Sequence, residues 1–131
     1  MRVQFGILFT SLAIFLSAAP TAAHHSTAAD YDDTKTVKVT GTVSKVEWTN
    51  PHARFFVDVV NADKTTASWS FELASPNSLT RSGWGKRTLT MGDVVTVTGA
   101  PARSGKTMGV TKSVLAADGK RLFTGTMGIE P

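Results

Sequence analysis

From Thr36 onward the chain alternates apolar and polar residues at period two, in segments separated by turns and by one short helix-like stretch. Alternation of this kind marks strands with one face in a core and one face outside. A chain built this way must cover the apolar face of a sheet, either with a second sheet or by curling the sheet on itself. Val37, Val39 and Val43 share one parity, while Val46 and Trp48 share the other. The change of phase around Ser44 and Lys45 predicts a bulge, and Gly41 permits a long first strand to coil sharply. Asn50-Pro51 closes that strand. Residues 53–60 form a second strand, with Phe55, Val57 and Val59 on one face and Phe56, Asp58 and Val60 on the other. After a polar turn, residues 67–73 form a third, with Trp69, Phe71 and Leu73 opposite Ser68, Ser70 and Glu72.

The interruption follows at once. Ser75 is a good helix cap, Pro76 suits the first helical position, Leu79 can face inward and Gly83 can end the turn. One helix of about two turns is expected. Alternation returns over residues 94–100 and 108–116, with a flexible loop at 103–106, and Asp118-Gly119 is a hairpin signal into residues 121–124. Three strands, a short helix and two more strands is the order of a five-stranded Greek-key OB barrel. The expected fold class is therefore all-β with one short helix, an OB-like barrel over residues 36–131, with an open sandwich as the competing architecture. Val43, Val57, Val59, Trp69, Phe71, Leu79, Val95 and Val97 are expected in its core.

The amino-terminal third is different in kind. Arg2, an apolar run over residues 5–16 and small residues up to Ala23 follow the order of a secretory signal peptide. The run is too short for a stable membrane anchor. The best cut falls after Ala23, so residues 1–23 are expected to be removed and the product to be periplasmic or secreted, with no membrane anchor. Residues 24–35, polar and without period, read as an extended arm. Removing the first 23 of 131 residues leaves 108, enough for one ordinary domain. Arg2 is one of 14 Lys and Arg, so 13 remain against 10 Asp and Glu, a mild and scattered excess with no run of five like charges. No nucleic-acid partner is expected from such a charge. The chain has no cysteine, which excludes disulfides, thiolate metal sites, thiol catalysis and lipoprotein anchoring.

A cut after Ala23 would leave His24 with a free amine, followed by His25. An amine and two imidazoles suit copper or a similar divalent metal. A terminal histidine can chelate through its amine and ring, and His52, the third histidine of the chain, can complete the set. The bland alternative is that His24 and His25 are tolerated at a frayed end, with Asn50-Pro51-His52 simply a turn. Asn50 and Phe56 are candidates for ligand binding, Phe56 because it lies off the inward phase and can stack on a ligand. Asp30, Asp32 and Asp33 read as a solvated acidic stretch, and Arg103 to Lys106 as a basic loop able to touch an anion. No nucleophile elbow, phosphate-binding glycine loop or helix-borne histidine pair is present, so no enzyme is expected.

His24-His25-Ser26, Trp48-Thr49-Asn50-Pro51-His52, Ser75-Pro76, Ser82-Gly83-Trp84 and Met91-Gly92-Asp93-Val94-Val95 together resemble an uncharacterised family of small exported bacterial proteins. The resemblance spans nearly the whole chain after the leader. It implies export and a small β-barrel and carries no known activity. The expectation is a non-enzymatic exported binding module that takes copper at its terminal histidines. The alternative is a barrel that binds another exported protein or an oligosaccharide, with incidental histidines.

Overall fold

A computed structural model describes residues 27–124. The leader, Ala23, His24 and His25 lie outside the described residues. Six strands follow a short amino-terminal helical turn: α1 (Thr27–Asp30), β1 (Val37–Glu47), β2 (Arg54–Val60), β3 (Thr66–Glu72), α2 (Pro76–Arg81), β4 (Val94–Pro101), β5 (Met108–Ala116) and β6 (Arg121–Thr124). The sheet order is β3-β2-β1-β4-β5-β6, and a parallel pairing of β3 with β5 closes the first five strands into a barrel. With the helix between β3 and β4, this is the OB architecture. β6 is a short sixth strand hydrogen-bonded to the end of β5.

Closure depends on β1. Its first half pairs with β4 and its second half with β2, the change of partner falling at Thr42. Gly41 sits at that change. A Cβ there would overlap the Asp58 carbonyl and come 2.8 Å from Val57 Cγ1, so only glycine lets the two strands approach. The bulge falls between Val43 and Lys45, where the alternation changes phase.

Inside the barrel, Val43, Phe55, Val57, Phe71, Leu73, Val95, Val97 and Val114 are buried. Phe71 stacks between Phe55 and Trp69, with ring centroids 5.7 and 5.9 Å away. Ser75 caps α2 by accepting from the Ser78 amide at 3.3 Å, and Leu79 is buried against the core. Trp84 packs edge-on against Phe123 and donates its indole N–H to the Leu122 carbonyl at 2.9 Å.

Two residues expected in the core lie only half inside it. Val59 and Trp69 have the expected parity but are partly exposed. The reason is where the barrel closes. β5 pairs with β3 only from Ser70 to Glu72, and β1 pairs with β2 only up to Asp58. Trp69 lies just beyond the first of these seams and Val59 just beyond the second.

The composition of the arm predicts an extended segment, and over residues 27–30 the arm is not extended. Residues 27–30 form one helical turn, and Tyr31 bridges to Ala102. The Asp32 amide donates to the Pro101 carbonyl and the Arg103 amide to the Asp30 carbonyl, both at 2.9 Å. Tyr31 is 4% exposed, packed with Ala100 and Val110. A single aromatic ring thus anchors a polar segment to the barrel.

Candidate functional site

Glu72 is the last residue of β3 and takes the outward phase set by Ser68 and Ser70. The β2–β3 register places Arg54 directly across from it. Arg54 Nη2 lies 3.4 Å from Glu72 Oε2. His52 precedes Arg54 by two residues, after a cis Asn50–Pro51 bond, and its Nδ1 meets Glu72 Oε1. Tyr31 reaches in from the arm and donates its hydroxyl to Glu72 Oε2 at 3.0 Å. Three donors from three segments therefore converge on one carboxylate, whose side chain is only 12% exposed. That convergence offsets the cost of drawing a charge out of water.

The arrangement bears on the Tyr31 proton and on which ring nitrogen of His52 donates. Burial, followed by the charge of Glu72 and the hydrogen bond to it, pushes the Tyr31 phenol above its ordinary value of 10.0, so Tyr31 remains a donor. A carboxylate only accepts, so His52 donates through Nδ1–H. In the neutral ring the lone pair then resides on Nε2, which has no hydrogen-bond partner among the described residues.

Between the arm and the outer face of β2 and β3 lies a cleft of about 400 Å³. Arg54, Glu72 and Tyr31 line it with Arg103 and Lys106 of the β4–β5 loop. Sequence reasoning singled out His52 and that loop but missed Tyr31, Arg54 and Glu72. The Arg54–Glu72 pair was available in principle, because a turn centred on residues 61–65 sets the register across which they meet.

The other candidates do not join this cluster. Asn50 is exposed. Phe56 is half-buried on the outer face of β2, with the Lys45 ammonium 5.4 Å from its ring centroid. Neither lines the cleft. Asp32 bonds to Thr34 and Lys35 rather than to a shared centre with Asp30 and Asp33. Among the described residues, no three His, Asp or Glu side chains gather in a metal-ligating group.

The molecule is thus an OB-type barrel with a docked amino-terminal arm. The model of a family of unknown function, DUF6152, matches residues 13–112, and the chain belongs to that family. No curated protein matches it. Among solved structures it is similar to Rim1, the mitochondrial single-stranded DNA binding protein of S. cerevisiae, in two crystal forms. One shows 12% identity over 73% of this chain and 99% of that one, with a TM-score of 0.48. The other shows 12% identity over 74% and 99%, with a TM-score of 0.47.

Proposed function

We propose that the protein is an exported, non-enzymatic binding module that takes Cu(II), or a similar divalent ion, between its processed amino terminus and His52. Export rests on the leader-like residues 1–23. The metal donors are the amine and ring of His24 with Nε2 of His52, and His25 is a supplementary ligand. One observation carries this reading: Glu72 holds His52 Nδ1 and, through Tyr31, also holds the arm. A carboxylate on one ring nitrogen, with the other left free, is how metal-binding histidines are commonly oriented. The arm is tethered to that same carboxylate. The arm is held a second time where the Ala28 carbonyl accepts from Arg103 at 3.2 Å.

The alternative, a barrel face that binds a protein or an oligosaccharide through Phe56, takes second place. Lys45 already covers part of that ring.

A Cu(II) titration of the chain beginning at His24 tests the proposal. Loss of a ligand's carboxylate partner lowers metal affinity by about 10–100-fold, so Glu72→Gln should fall in that range and His52→Ala at or beyond it. In a His25→Ala background, one residue added ahead of His24 should weaken binding too, because it changes the chelate ring without placing a histidine third. Affinity should also fall as pH drops, because protons compete for the amine and imidazoles. Equal affinity in the original, His52→Ala and amino-terminally extended chains would refute it.

A further inference from the structure

The cleft between arm and barrel has a chemistry of its own. Three cationic side chains line it: Arg54 from β2, and Arg103 and Lys106 from the β4–β5 loop. Two carboxylates face them, but they are not equivalent. Both oxygens of Glu72 are already engaged by Tyr31, His52 and Arg54. Asp30 in the wall, and Asp32 just outside it at 3.8 Å from Arg103, are left to balance the remaining positive charge.

The cations also have donors to spare. Arg54 makes one long contact, at 3.4 Å, from a guanidinium that carries five N–H groups. Arg103 donates Nε–H to the Ala28 carbonyl and stands 3.8 Å from Asp32, which leaves most of its fork unused. The Lys106 ammonium has no partner among the described residues. Planar guanidinium forks match the oxygens of carboxylates and phosphates. Ala29, Ala102 and Met108 supply an apolar part of the wall. The volume, about 400 Å³, lies in the lower part of the range of small-molecule sites. In OB barrels the outer face of the second and third strands, beside the β4–β5 loop, is where ligands are held.

We propose that this cleft binds a small organic oxyanion, a carboxylate or phosphate head on a short apolar stem. The head sits among Arg54, Arg103 and Lys106, and the stem lies toward Met108. The docked arm is one wall of the site, so the ligand bridges arm and barrel. The cleft shares Glu72 and Tyr31 with the proposed metal site, but His52 does not line it and none of its three cations is a metal donor.

Amide-resolved NMR of the metal-free chain beginning at His24 tests this. Butyrate and butyl phosphate distinguish the two heads, inorganic phosphate tests the stem, and butylammonium tests the sign of the charge. The expected result is a saturable shift of the amides of residues 29–31, 54, 72 and 102–108 with at least one butyl anion, weaker with inorganic phosphate and absent with butylammonium. Lys106→Met should weaken binding by about threefold to tenfold with the fold unchanged, and added salt should weaken it further. His52→Ala should leave anion binding intact, so that loss of copper affinity and loss of the anion site are read separately. The proposal is overturned if neither butyl anion gives a saturable shift there, if butylammonium binds equally, or if Lys106→Met changes nothing. It is also overturned if only an acidic peptide or a single-stranded oligonucleotide moves these amides.

Discussion

The β2–β3 ladder has two ends, and they are built differently. At the turn end, Val59 pairs with Ala67 and Val60 with Thr66. Val60 is 70% exposed there, and the polar groups of Asn61, Asp63 and Thr65 satisfy one another within the turn. At the other end, Arg54 pairs with Glu72, the parallel strand β5 closes the barrel, and the arm lies over the seam. Here a nearly buried carboxylate is bound by residues 18, 20 and 41 positions away in sequence. The turn end satisfies itself locally and stays open to water. The closed end couples three distant segments, and the candidate site is assembled there.

Substitutions can break this contrast, and the largest effect is expected where the barrel closes. Phe71→Ala should cost ~3–5 kcal/mol, because the ring is fully buried and stacked on both sides. Trp69→Ala, just outside the seam, should cost about half as much. Chemical denaturation of both variants measures the difference, and equal losses would show that the β3–β5 seam does not bound the core.

The next effect belongs to the carboxylate. Glu72→Ala leaves the Tyr31 hydroxyl without its partner and removes the contacts of His52 and Arg54, and should cost about 1.5–3 kcal/mol. The carboxylate of Asp63, which serves only its own exposed turn, should be replaceable by Ala with a clearly smaller loss. If the two cost the same, the cluster at Glu72 is no more than a surface network.

Tyr31→Phe sharpens the contrast through pH. The phenol is raised above its ordinary value, first by burial and then by Glu72, so the folded chain holds this proton more tightly than the unfolded chain does. Its stabilisation is present in full below pH ~10 and is lost as pH climbs beyond that toward the folded value. Tyr31→Phe should cost about 1–2 kcal/mol at neutral pH and should flatten the alkaline part of the stability profile. Unchanged alkaline slopes would mean that the arm is not docked through this hydroxyl. The smallest effect is expected at Val60, where Val60→Thr should stay within about 0.5 kcal/mol.

Most of the barrel was legible because alternation is local. The bulge after Val43, the Ser75 cap, β5 and β6 each follow from a few neighbouring residues. The half-exposure of Val59 and Trp69 was not, because parity says which way a side chain points but not how far the seam with β5 extends. The docking of the arm was not legible either. Its composition is polar, and the only signal of anchorage was Tyr31, one ring among acidic and small residues. Half of the candidate site could be read: His52 by its chemistry, but not the Glu72 that orients it. That link lies in side chains brought together by closure, and periodicity contains no information about it.

The proposed metal site requires that the arm, fastened at Glu72, bring the processed terminus and His52 to one ion. Pulsed electron-spin spectroscopy of one equivalent of Cu(II) tests it directly, on chains beginning at His24 and carrying His25→Ala, with and without His52→Ala. With His52 present, modulation from the remote nitrogens of two imidazoles is expected, falling to one when His52 is replaced. The same spectrum in both chains would contradict it.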